Sequence, residues 1–149
     1  MNRDDITILV TASASRFGDR NPQQFEQIAS RIGKADEAEI LQGLLKVFTH
    51  GDPAPLGSAA QEAAGRLLVE LNPKGPLELK SLLRAALPRY ELSVEQFPQY
   101  LTALCGSSAM LSAFQEIEHE LLSEAEHRAL QTMKFWLRNF PAGRGQNAV

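Results

Sequence analysis

Apolar residues recur at offsets of three, four and seven along most of the chain. Phe25, Ile28, Ala29 and Ile32 fall on one line, as do Leu41, Leu44, Leu45 and Phe48. Ala60, Ala63, Ala64, Leu67, Leu68 and Leu71 make a third stripe, and Leu79, Leu82, Leu83 and Ala86 a fourth. Met110, Leu111, Phe114, Ile117 and Leu121 follow, and Leu130, Met133, Leu137 and Phe140 close the series. That spacing is the pattern of a helix that buries one face. Two segments are ambiguous. Ile6, Ile8 and Val10 alternate as a strand would. A lone strand has no partner elsewhere in the chain, so residues 4–16 are expected to be a helix with Asp4 or Asp5 near its start. In residues 93–105, Val94, Phe97, Leu101 and Leu104 are helically spaced, but Pro98 falls among them. The helix there either begins at Pro98 or is capped by Ser93 with a distorted first turn.

Helix punctuation divides these stripes. Ser58 and Gln61, Ser93 and Gln96, and Ser123 and Glu126 have capping-box spacing, in which the serine oxygen and the third side chain satisfy each other's backbone N–H. Asn21 with Pro22 and Gln24, and Asp36 with Glu39, read as further starts. Pro76 reads as a first helical residue. Gly33, Gly51 and Gly106 sit where a left-handed terminator is wanted, and Pro73 and Pro88 close the segments before them. The expected fold is therefore all-α: one domain of about eight helices over residues 1–140, with a disordered tail at 141–149. His50–Ser58 reads as the longest break and the most flexible one. The caps at Asn21, Ser58, Ser93 and Ser123 lie at intervals that each hold two helices. Antiparallel pairs stacked as a short solenoid of the HEAT or armadillo kind fit that spacing, and so does an irregular bundle.

Composition narrows the class. The chain has 149 residues, 44% hydrophobic and 22% charged, which is ordinary for a folded domain and unlike a disordered one. No apolar run approaches the roughly 20 residues that span a bilayer, so no membrane association is expected. Acids stand directly before the first apolar run, unlike a secretory signal. Cys105 is the single cysteine, which permits no internal disulfide and points to a reducing, cytoplasmic location.

Charge is unevenly spread. The formal net charge is −3, and residues 1–89 balance. Residues 90–127 hold Glu91, Glu95, Glu116, Glu118, Glu120, Glu124 and Glu126 with no Lys or Arg, whereas residues 128–149 hold Arg128, Lys134, Arg138 and Arg144 and no acid. The plain explanation is a solvated helix face, with Glu124 and Glu126 also suiting the first turn after Ser123. The functional alternative is an acidic surface that receives a basic protein, with complementary fields selecting the partner. Not all of these carboxylates can share one face. Direct nucleic-acid binding is disfavoured, because the acids repel phosphate and no basic stripe compensates.

Candidate chemistry is sparse. Glu116 with His119 and Glu124 with His127 both read E-x-x-H, a spacing found in di-iron helical bundles. The two pairs lie only eight residues apart with a helix start between them, so the ligand set is incomplete and no metal or other cofactor is expected. Cys105 reads as a structural thiol, and His50 as a C-terminal helix cation. Nucleotide-binding, nucleophile-elbow and C-x-x-C motifs are absent. Phe135 and Trp136 are adjacent, so they cannot both face the core, and Trp136 is a candidate interaction anchor.

The stretch Arg89-Tyr90-Glu91-Leu92-Ser93-Val94-Glu95-Gln96-Phe97-Pro98-Gln99-Tyr100-Leu101, with Thr132-Met133-Lys134-Phe135-Trp136-Leu137 downstream, resembles small all-helical bacterial proteins of unassigned chemistry. It is also similar to the helical immunity proteins encoded beside polymorphic toxins. The resemblance covers the last third to half of the chain and transfers no site residue. It implies a cytoplasmic, non-enzymatic protein that binds and blocks a toxin. Glu91, Glu95, Glu116, Glu118, Glu120, Glu124, Glu126 and Trp136 are then the expected partner-binding residues. An adaptor with a non-toxic partner and a metal-binding bundle enzyme are the rival expectations.

Overall fold

The computed structural model describes residues 1–18 and 21–139, so the expected tail at 141–149 lies outside the described residues. The described chain holds eight helices and no strand: α1 Arg3–Phe17, α2 Pro22–Ile32, α3 Glu37–His50, α4 Ser58–Leu71, α5 Leu79–Ala86, α6 Gln96–Cys105, α7 Ser107–Glu118 and α8 Glu124–Arg138. The alternating segment is helical. Ile6 and Val10 are buried one turn apart, and Ile8 points out. The cap of α1 is Asn2, and Asp4 and Asp5 lie in its first turn, as expected. Asn2 Oδ1 accepts from the Asp5 N–H at 2.9 Å, and Asp5 Oδ2 accepts from the Asn2 N–H at 3.0 Å.

Helices two apart in the chain pack side by side. α1, α3, α5 and α7 form one row, and α2, α4, α6 and α8 form the other. The rows face each other through α1 with α2 and α4, α3 with α4, and α7 with α6 and α8. The core between them is continuous. At its centre Phe48 of α3 stacks on Phe97 of α6, with ring centroids 4.1 Å apart and planes at 18°, and Tyr90 tilts against Phe97. α1 and α3 approach closely at Gly43, where an added Cβ would lie 2.8 Å from both the Arg3 carbonyl oxygen and the Ile6 Cβ.

Several expected punctuation marks do other work. Ser123 and Glu126 form their box, and Asn21 accepts from the Gln24 N–H with Pro22 in the first turn. Ser58, by contrast, is the first residue of α4, and its hydroxyl donates to Glu91 at 2.6 Å. Gln61 is fully buried. Its amide donates to the Arg89 carbonyl at 2.7 Å and accepts from the Glu91 N–H at 2.8 Å. The Ser93 box does not form. α6 starts at Gln96, which places Pro98 in the first turn, where a helix requires no N–H. Pro76 lies outside α5, Asp36 makes no cap bond, and the Glu39 side chain pairs with Arg3 of α1 at 2.6 Å. Gly33 and Gly51 end their helices without a left-handed backbone; Gly106 and Asn72 have positive φ, at 94° and 47°.

His50–Ser58 is not the longest break, contrary to expectation. The longest stretch between helices among the described residues is 87–95, and the two segments brace each other. The Ala54 N–H donates to the Arg89 carbonyl at 3.1 Å, and Arg89 Nε donates to the Gly51 carbonyl at 3.1 Å.

Candidate functional site

The turn from α7 to α8 lies against α5. Lys80 and Arg84 are one helical turn apart on α5 and therefore share a side of it. Lys80 Nζ lies 3.0 Å from one Glu120 oxygen, and Arg84 Nε donates to the other at 3.0 Å. Arg84 Nη1 also donates to Glu126. Glu126 accepts in addition from the Ser123 N–H at 2.9 Å, as the capping box requires. One guanidinium thus grips both ends of the turn. The Lys80 hydrogen bond, and after it that of Arg84, holds the Glu120 carboxyl below the usual glutamate range. Glu126 is lowered as well, first by the Ser123 N–H and then by Arg84.

The remaining candidate carboxylates separate into engaged and open ones. Glu118 pairs with Lys134 of α8. Glu91 is half-buried and holds the Ser58 hydroxyl. Glu124 has a side chain 93% exposed and only a loose contact with Arg128, at 3.9 Å. Glu116 is exposed and Glu95 half-buried, and neither makes an ion pair among the described residues. Four of the five carboxylates from Glu116 to Glu126 are thus met by Lys80, Arg84, Arg128 and Lys134, and Glu116 is not. A segment that lacks cations in sequence does not form a surface that lacks them, because α5 returns two and α8 supplies the others. Spacing along the acidic segment carries no sign of this; the signal is the Lys80–Arg84 pair on α5, legible only once α5 is known to pack on α7.

Trp136 is half-buried, and its indole N–H donates to the Leu92 carbonyl at 3.0 Å. It ties α8 to the segment before α6. Phe135 meets it edge-on at 5.1 Å and is the more open ring, 46% exposed. A different residue stands out, which the stripe of α7 had assigned to the core. Leu121 is 95% exposed at the turn, while Leu122 beside it packs on the core.

Among the described residues, no three His, Cys, Asp or Glu side chains come together as a metal-ligand set. Cys105 is half-buried, and burial raises its thiol above the usual range, the opposite of what activates a nucleophile. His50 Nδ1 lies 2.7 Å from the Thr49 hydroxyl. No described helix is long and apolar enough to cross a membrane. No protein-family model, curated protein or solved structure matches the chain.

Proposed function

We propose that this chain is a non-enzymatic protein-binding domain that contacts a basic partner through the α7–α8 turn. In its sharpest form it is a cytoplasmic, immunity-type inhibitor that covers a toxin surface. The observation that carries the proposal is Leu121: an aliphatic side chain 95% exposed on a turn held at both ends by Arg84 and by the Ser123–Glu126 box. A clamped turn loses little conformational entropy on docking, and a solvated leucine gains roughly 1.5–3 kcal/mol when a partner buries it. Glu116 and Glu124 lie on either side of it in sequence and remain open to a Lys or Arg. Glu118, Glu120 and Glu126 reach a partner only by giving up an internal pair, so charge steers the encounter from few positions, and Glu95 is a further one. Occlusion then requires an apolar centre with an acidic rim, the usual division of labour at interfaces.

The product of a neighbouring toxin-like reading frame is the first partner to test. Leu121→Asp, and separately Glu116→Lys with Glu124→Lys, are expected to keep the helical circular dichroism and to weaken binding at least tenfold, with added salt weakening the parent complex too. Binding unchanged in both variants would overturn the proposal. An adaptor role uses the same surface, and a bound partner without toxicity would select it.

A further inference from the structure

At the opposite end of the rows lies a concavity of about 160 Å³, bounded by α1, the end of α3 and the start of α4. It is lined by the buried Ala14, Val47 and Ala60 and by the exposed Thr11 and Ser15. Asp52 is its charged lining residue. The side chains of Thr11, Ser15 and Asp52 make no hydrogen bond or ion pair among the described residues. The hollow is pre-formed. An added Cβ on Gly57 would lie 1.9 Å from the Asp52 carbonyl oxygen, so the loop closes this tightly only with glycine there. The Gly57 N–H donates to the Pro53 carbonyl at 2.9 Å, and Arg89 anchors Gly51 from across the chain. Leu56, which also lines the hollow, is 80% exposed, and Ile8, one turn before Thr11 on α1, adds apolar surface at 66% exposed.

We infer that this hollow takes one apolar side chain of a partner polypeptide, with a neighbouring Lys or Arg of that polypeptide paired to Asp52. The volume sets the size, since an apolar cavity of about 150 Å³ accommodates a benzene ring. The lone carboxylate sets the charge. The apolar margin of Ile8 and Leu56 extends contact past the hollow, which a chain uses and a single small amine does not. The inference rests on reading the protein as a binder of polypeptides, but it concerns a surface separate from the α7–α8 turn.

Backbone amide NMR of the full chain tests it with acetyl-phenylalanyl-lysine amide, its phenylalanyl-glutamate and glycyl-lysine analogues, and benzylamine. The phenylalanyl-lysine probe is expected to give saturable shifts at Thr11, Ser15, Asp52 and Ala59 in the millimolar range, and both analogues to bind at least fivefold more weakly. Asp52→Asn should bring the lysine and glutamate probes within twofold of each other. Ser15→Phe fills the hollow from an exposed position and should abolish the shifts; Thr11→Phe serves equally if Ser15→Phe perturbs the fold. Dispersed shifts, or shifts unaffected by the filling substitutions, would overturn the inference, and so would benzylamine binding more tightly than the peptides. Because the probes report on α1 and α4, such a failure leaves the turn at Leu121 to be judged by its own variants, and failure there leaves the hollow standing.

Discussion

Gln61 is the residue whose chemistry the fold uses most completely. A primary amide offers a donor and an acceptor on one planar group, and segment 87–95 presents the complement: the Arg89 carbonyl and the Glu91 N–H. Buried in α4, Gln61 acts as a piece of backbone would, pairing a segment that has no helix or strand of its own. The same three-residue spacing from Ser58 fits a solvent-side capping box, so the sequence alone could not separate the two roles; the difference is burial. Gln61→Leu keeps the volume and removes both bonds. It is expected to cost about 1–3 kcal/mol, the range for one buried group left unsatisfied, here the Glu91 N–H, because the Arg89 carbonyl keeps its bond from the Ala54 N–H. Urea denaturation monitored by circular dichroism measures this. A cost below about 0.5 kcal/mol would mean that water replaces the amide and that the pairing does not hold segment 87–95.

Among the elements, α5 is the shortest, and its part in the fold is largely electrostatic on the side facing the α7–α8 turn. Glu120 and Glu126 have carboxyls lowered by Lys80, Ser123 and Arg84, so the folded chain prefers the anions more than the unfolded chain does. Their contribution is full above the ordinary glutamate value near 4.3 and disappears as pH falls through the lower folded values. Arg84→Met is therefore expected to lower the melting temperature by roughly 2–4 °C at pH 7, a modest effect because the groups are partly solvated. The gap between parent and variant should begin to close below about pH 4 and vanish once the pH is under the lowered folded values. A gap that persists in acid would assign it to the packing of the Arg84 stem. Element boundaries were legible where the cap is local, as at Asn21 and Ser123, and where a proline follows the end, as at Pro73. They were not legible at α5 and α6, whose starts lack a cap bond and are set by packing on α3, α4 and α7. The internal pairing of the acidic segment was illegible for a similar reason. Glu118, Glu120 and Glu126 are adjacent in sequence to other acids but adjacent in space to cations of α5 and α8.

Across the whole molecule, the two rows of helices determine how stability is distributed. Of the four positions whose 30–37-residue spacing suggested helices taken in pairs, only Asn21 and Ser123 cap a helix, so the packing of each helix on the one two ahead does not rest on that spacing. No residue motif recurs with it, so the order comes from apolar faces of similar width and not from a repeated sequence. The middle of the rows holds the Phe48–Phe97 stack with Leu44, Leu68 and Leu101, all fully buried, and those helices have neighbours on both sides within their row. α1 and α2 at one end, and α7 and α8 at the other, have a row neighbour on one side only. When contacts are mostly between neighbours, opening an end breaks one interface while opening the middle breaks two. Native-state hydrogen exchange should therefore be graded. Amides of α3, α4 and α6 should exchange only through global unfolding, with the slowest rates at Leu44, Phe48, Leu68 and Leu101. Those of α2 and α8 should open at lower free energy and with a smaller dependence on denaturant. Within the terminal pair, the Arg84 grip adds a second gradient: α8 amides near Glu126 should be better protected than those past Trp136, and Arg84→Met should remove that difference. A single free energy shared by all eight helices would mean instead that the core closes as one unit, and that the row arrangement describes shape without dividing stability.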